Sequence, residues 1–278
     1  MAFIQVSYLS KSLMRTVPIN VILPTDKLYF PGMKVREDKP FKTLILLHGI
    51  FGSSVDWVNG TRIQRYAEDN DLAVIMPSGD NAFYTNHKES QNNYEDFVGK
   101  ELIEAMRKMF PLSNKREDTF IGGLSMGGYG AVHIGLKYSE TFSNIVSLSG
   151  AMLLDDVKER TNDSPFFIGR RDYAEYCFGD LENIETSENN PKYQIELLLK
   201  NKKDIPMIYM ACGVDDSLLE ANNTFAKFLD DHKVKYQYVT GPGAHEWDFW
   251  DTYIKKAVYE WLPVENSTKG INSGNVGI

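Results

Sequence analysis

The stretch Phe120-Ile121-Gly122-Gly123-Leu124-Ser125-Met126-Gly127-Gly128-Tyr129-Gly130 reads as a strand, a sharp turn carrying a serine, and the start of a helix. Within it, Gly123-Leu124-Ser125-Met126-Gly127 fits the nucleophile-elbow pattern G-x-S-x-G. Small residues two before and two after the serine let strand and helix approach closely, and the strained turn holds the serine Oγ up and exposed. A glycine-rich turn can also do no more than pack a helix on a strand, so the flanking chain has to decide.

Outward from the elbow, strand and helix patterns alternate. Upstream, Lys42–Leu47 and Leu72–Met76 are short continuous apolar runs of the kind a strand buried on both faces shows, the first ending at His48-Gly49 and the second at Pro77. A helix is expected around 61–69. Phe97, Leu102, Ala105, Met106, Met109 and Phe110 recur at helical spacing, with Pro111 just past the end. Residues 3–9 and 16–23 alternate apolar and polar, as an antiparallel pair would, and Pro18 suits an edge strand. Downstream, a helix over 126–138 precedes the strand Ile145–Ser149. The order then resumes with a helix over 191–201, the strand Met207–Cys212, a helix over 217–232, the strand Lys235–Val239 and a last helix over 247–262.

Eight strands in this order predict an α/β-hydrolase fold: a mostly parallel sheet, helices on both faces and right-handed crossovers. Residues 1–262 are expected to form a single domain. Between Ala151 and Asn190 the pattern lapses into charges, glycines and scattered aromatics, which suits a short lid-like insertion at the carboxyl edge of the sheet. Residues 263–278 are polar and read as a loose tail.

Composition narrows the function. The 278 residues carry a formal net charge of −8 with no basic cluster, which argues against nucleic acid and against an anionic membrane surface. No apolar run reaches membrane-spanning length, and Met1-Ala2-Phe3-Ile4-Gln5 lacks a basic start followed by a long apolar stretch. Two cysteines, Cys177 and Cys212, make no disulfide framework, so the protein is expected to be cytoplasmic. Nothing in the chain speaks against a homo-oligomer.

A serine hydroxyl is a weak nucleophile until a base takes its proton, so the elbow requires a histidine and an acid on later loops at the same sheet edge. In α/β-hydrolases these follow in the order serine, acid, histidine. Gly213-Val214-Asp215-Asp216 stands just past one buried strand and Gly241-Pro242-Gly243-Ala244-His245 just past the next. The expected triad is Ser125, Asp216 and His245. Only one of the adjacent carboxylates can reach His245; Asp216, third after Gly213, is preferred, and Asp215 is the alternative. The other histidines fit less well. His48 reads as a structural hydrogen-bonder, His87 lies in a polar loop, and His133 and His232 fall on helices.

An acyl-transfer intermediate also needs backbone N–H donors for its oxyanion, expected from Met126 and from Ile50 in the loop after the third strand. Trp57, Phe83, Tyr84 and Trp247 are candidates to line the substrate pocket. No metal and no organic cofactor is called for; the expected partner is a small acyl ester.

The chain resembles the tributyrin-esterase group of the esterase D-like α/β-hydrolases over roughly residues 2–262. The likeness rests on Leu47-His48-Gly49, Asn81-Ala82-Phe83-Tyr84-Thr85, the elbow itself, Cys212-Gly213-Val214-Asp215-Asp216 and His245-Glu246-Trp247. It implies a carboxylesterase for short-chain acyl esters that uses Ser125, Asp216 and His245. That family often has Glu before its catalytic Asp, where this chain has Asp215. S-formylglutathione hydrolases are similar in architecture but usually carry Thr-Cys in the oxyanion loop, where this chain has Phe51-Gly52-Ser53-Ser54. Acyl transfer to another acceptor, or a hydrolase fold kept only as a binding surface, are the remaining alternatives.

Overall fold

The computed structural model describes residues 1–29, 31 and 35–265. The chain opens with the antiparallel strands β1 (Ala2–Ser10) and β2 (Arg15–Leu23), then runs through β3 (Lys42–Leu47), α1 (Asp56–Gly60), α2 (Ile63–Asp69) and β4 (Leu72–Pro77). A small ribbon of β5 (Asn86–His87) and β6 (Asn92–Asn93) leads into one continuous helical segment. It is made of α3 (Tyr94–Asp96), a π-helical turn over Phe97–Glu101, and α4 (Leu102–Met109). Next come β7 (Thr119–Leu124), α5 (Met126–Lys137) and β8 (Asn144–Leu148). The insertion follows with its own helix α6 (Arg171–Phe178), then α7 (Pro191–Lys200), β9 (Met207–Gly213), α8 (Leu219–Asp231), β10 (Tyr236–Gly241) and α9 (Trp247–Lys256).

Eight strands form one sheet in the order β1-β2-β4-β3-β7-β8-β9-β10. β2 meets β1 and β4 antiparallel; every pairing from β4 across to β10 is parallel. Side chains alternate between faces along a strand, so Ile45 and Leu47 pack into one core, with α4 and α5, while Leu44 and Leu46 pack into the other, with α2 and α9. That double burial is what the continuous apolar runs of β3 and β4 encode. β1, at the sheet's edge, instead alternates half-buried and exposed residues.

The structure departs from the sequence reading in four places. Pro18 stands in the second strand, not the edge, just ahead of the Ile19–Ile22 stretch that pairs with β4, where a residue without an N–H is tolerated. The helix expected over 61–69 is preceded by the separate α1. The break falls at Thr61, whose hydroxyl donates to Trp57 O (2.5 Å) and accepts from the Ile63 N–H (3.1 Å). Residues 151–190 are more ordered than their composition suggests: Val157, Ala174, Cys177, Phe178, Leu181 and Ile184 join the main core. Thr85 and Tyr129 donate their hydroxyls to the insertion's Cys177 and Asn189 carbonyls, both at 2.5 Å. Of the expected tail, residues 266–278 lie outside the described residues. Its first residues are held, with Lys42 donating to Pro263 O (2.6 Å) and Lys39 paired to Glu265 (2.9 Å).

Candidate active site

Ser125 caps β7 and begins α5 with φ 54° and ψ −120°, a left-handed region that a residue with a side chain enters at a cost of about 1–3 kcal/mol. The turn is held from both ends. The Ser125 N–H donates to Leu148 O (2.9 Å), and its carbonyl accepts from the Tyr129 and Ala151 N–H groups at 3.1 and 2.9 Å. The two pattern glycines are needed for space. A Cβ on Gly123 would stand 2.2 Å from Gly127 O, and one on Gly127 would stand 2.5 Å from both Leu47 O and His48 O.

The acid and base loops are stitched together before either side chain is considered. Val214 N–H donates to Gly241 O (2.9 Å) and Asp215 N–H to Gly243 O (3.1 Å), and a Cβ on Gly213 would lie 2.2 Å from Gly243 O. From this paired edge His245 reaches Ser125 Oγ with Nε2 at 3.0 Å and Asp216 with Nδ1, at 3.0 Å from Oδ2 and 3.1 Å from Oδ1. An ionised carboxylate can only accept, so Nδ1 carries the proton and Nε2 is left as acceptor for the serine hydroxyl.

Asp216, not Asp215, makes this contact. Its side chain is fully buried, whereas Asp215 is exposed. Burial pushes the Asp216 carboxyl up, but hydrogen bonds from His245, Ser149 and the Leu218 N–H outweigh it and hold the group below the usual aspartate range. Behind the imidazole, Trp250 stands edge-on to His245 at 4.9 Å and donates its indole N–H to Ser149 Oγ (3.1 Å).

On the other side of Ser125 lies the loop after β3. Its backbone is gripped carbonyl by carbonyl: Trp57 Nε1–H donates to Leu47 O (2.9 Å), Tyr84 O–H to His48 O (3.0 Å), and His48 Nδ1 to Gly49 O (2.6 Å). His48 Nε2 accepts from the Gly79 N–H (2.8 Å), and burial lowers the imidazole's pKa, so the ring is neutral with its proton on Nδ1. Among the described residues neither the Ile50 nor the Met126 N–H donates to a protein acceptor.

A serine elbow, a histidine bridge and an ordered loop of this kind have known relatives. The family described as "Putative esterase" matches residues 10–261. An acetyl esterase of Caldicellulosiruptor saccharolyticus is 40% identical over 265 residues, which is 94% of this chain and 98% of that protein. The chain belongs to this esterase family. Two solved structures from Staphylococcus aureus are each 33% identical. The fluorophosphonate-binding serine hydrolase FphF has a TM-score of 0.79, covering 92% of this chain and 96% of its own. The S-formylglutathione hydrolase FrmB has a TM-score of 0.77, covering 92% and 97%. The protein is thus an α/β-hydrolase-fold carboxylic ester hydrolase.

Four aromatic residues of the esterase were expected to line its pocket, and the structure redistributes them. Trp57 and Tyr84 are 1% and 0% exposed, with their polar atoms turned to the Leu47 and His48 carbonyls, so that they brace the loop. Phe83, 4% exposed, packs edge-to-face on Phe178, Tyr129 and Tyr173 beneath the insertion. Only Trp247 keeps an accessible part beside His245, stacked edge-on against Trp57 and Trp250.

The remaining histidines of the esterase lie outside this row. His133 is buried on Glu95 (2.8 Å) and Gln194 (3.1 Å), His87 stacks on Tyr176, and His232 contacts the Phe228 carbonyl and ring. No group of three or more His, Cys, Asp or Glu that could hold a metal occurs among the described residues, and no helix among them is long and apolar enough to cross a membrane. Both cysteines are buried, and burial raises each thiol's pKa to about 12, which removes them as nucleophiles.

The sequence reading missed Ser149, Trp250 and Asn81. Ser149 and Trp250 support the acid–base pair, and Asn81 Oδ1 accepts the Phe51 N–H (2.8 Å). Ser149 stands just past the end of β8 and Asn81 in the loop after β4, but serine and asparagine in such places have many structural uses, and Trp250, inside α9, reads as one more apolar position of that helix.

Proposed function

We propose that the protein is a serine carboxylesterase that hydrolyses short-chain acyl esters through an acyl-enzyme on Ser125. The observation that carries this reading is the continuous row from Ser125 Oγ through His245 to Asp216, with both links near 3.0 Å. His245 Nε2 takes the hydroxyl proton as Oγ attacks the ester carbonyl, and Asp216 steadies the imidazolium that forms. The oxyanion is received by the Ile50 and Met126 N–H groups. His245 then hands its proton to the departing alcohol. A water that gives a proton to the same nitrogen releases the carboxylic acid and restores Ser125.

The gripped loop fits this role. Gly49 C=O and Ile50 N–H are the two ends of one planar trans peptide, so the His48 bond to that carbonyl fixes the direction of the N–H. His48→Ala is expected to lower kcat by about 10²-fold, the usual cost of impairing one oxyanion donor, with KM changed by less than about threefold. Steady-state kinetics of the purified variant on a short-chain chromogenic ester measure both.

The short-chain preference rests on the likeness to an acetyl esterase and on an insertion too small to form a large cap over the site. A p-nitrophenyl ester series is expected to give its highest kcat/KM at acetate or butyrate and a fall of at least about tenfold by decanoate. A profile that rises to decanoate would overturn the chain-length part. We read residues 1–262 as one domain with 151–190 as its insertion, and place the protein in the cytoplasm. A second reading, a thioesterase for S-formylglutathione, is favoured by the likeness to FrmB. The Phe51-Gly52-Ser53-Ser54 loop weighs against it, and direct competition between S-formylglutathione and p-nitrophenyl butyrate separates the two.

A further inference from the structure

We propose that Phe51, Phe166 and Phe167 form an aromatic platform at the mouth of the site that takes an aryl group of the ester; the proposal rests on Ser125 being the attacking residue. The three rings are 63%, 58% and 36% exposed, a large apolar surface to leave in water. They meet one another. Phe51 stands edge-to-face on Phe166 at 6.3 Å and on Phe167 at 5.9 Å, and the two insertion rings lie 5.8 Å apart.

The platform starts from the loop that passes the reacting serine. A Cβ on Gly49 would lie 3.3 Å from Ser125 Cβ, and Phe51 is two residues further along the same loop. Two peptide steps span at most about 7.6 Å, which keeps the Phe51 backbone within about 12 Å of the serine. One ring of the platform therefore comes from the loop that offers the Ile50 N–H, and two come from the insertion.

It is also a built surface. Phe51 has φ 67°, which is costly for a residue with a bulky side chain, and Asn81 Oδ1 fixes that backbone by accepting its N–H at 2.8 Å. The same residue's carbonyl accepts from the Tyr173 hydroxyl (2.8 Å), and Tyr173 packs edge-on against Phe167 at 4.8 Å. Asn81 thus fixes both halves of the platform relative to each other. A strained residue that presents its ring to solvent contributes little to the core, and its place two residues along from Gly49, which packs on Ser125, gives the ring a use. Rings already meeting edge-to-face can extend the same contact to a further aromatic ring. The aryl group can sit on the acid or on the alcohol of the ester, since the platform borders the site without enclosing it.

The test compares benzyl acetate, with the ring on the alcohol, and ethyl benzoate, with the ring on the acid, each against ethyl acetate. The readout is the ratio of kcat/KM values. In Phe166→Ala and in Phe51→Ala the ratio for one of the two aryl esters is expected to fall roughly five- to tenfold, mainly through KM, and Phe166→Tyr is expected to restore it. Whichever ester responds identifies the side on which the ring is bound. Unchanged ratios for both esters in both variants would overturn the proposal. So would unchanged ratios together with a wild-type dimer that Phe166→Ala dissociates in sedimentation, which would make the patch a contact between copies of the chain. Failure of the Ser125 reading shows separately, as turnover of ethyl acetate by Ser125→Ala.

Discussion

Ser125→Ala is expected to reduce kcat for a short-chain ester by a factor on the order of 10⁶, because the serine and its histidine act as one unit. The substitution removes Oγ and nothing else that holds the turn. The N–H bond to Leu148 O and the carbonyl's bonds to Tyr129 and Ala151 are all backbone. The variant should therefore fold, with thermal unfolding close to the parent. His245→Ala is expected to cost about as much alone, and the double variant little more than either. Stopped assays at high enzyme concentration, with circular dichroism on the same samples, measure both quantities. Independent, additive losses would show that the two side chains do not share a proton-transfer step.

The second large effect separates two neighbouring carboxylates. Asp216→Asn is expected to lower kcat by about 10⁴-fold, while Asp215→Asn stays within about threefold of the parent. An amide at position 216 can turn its NH₂ toward His245 Nδ1. It then favours the tautomer with the proton on Nε2, which leaves no acceptor for the serine hydroxyl. Asp215 is exposed and touches the base loop through its backbone N–H alone. The pH dependence has a defined sign. The folded carboxyl of Asp216 is held below its unfolded value of about 3.9, so its contribution to stability is complete above that value. The contribution is lost as pH falls through the lower folded value. Measured by thermal unfolding, this contribution should therefore be lost below about pH 4 in the parent and in Asp215→Asn alike, and Asp216→Asn should lack it at every pH.

Much of this was legible because the relevant signals are local. Strands buried on both faces leave continuous apolar runs, and β3 and β4 fall where those runs are, while β7 is marked by the elbow that ends it. The elbow announces itself through glycines that a Cβ would drive into the neighbouring backbone. The loops of Asp216 and His245 could be picked out because each follows a strand of the sheet within a few residues; the strand before His245, expected to be buried, is instead the half-exposed edge strand β10.

What the sequence did not reveal depends on direction and on distant partners. Trp57, in the short helix α1, and Tyr84, in the loop after β4, lie at the correct edge, and nothing local distinguishes a ring facing a ligand from one turned inward to bond a carbonyl at the end of β3. The inward choice follows from those carbonyls, which need donors once the strand has ended. The insertion is built of 3₁₀ turns around one short helix, and these leave no long periodic pattern to detect. The exposed pair Phe166-Phe167 gains its meaning only from Phe51, more than a hundred residues earlier in the chain.

Every step of the proposed reaction depends on Ser125 Oγ being the atom that attacks. The folded protein should be incubated with a fluorophosphonate, weighed intact and mapped by peptide mass. A single adduct on the peptide containing Ser125, forming in step with loss of ester turnover and absent from Ser125→Ala, is the predicted result. Full turnover with no adduct, or an adduct on another residue that accompanies the loss, would contradict it.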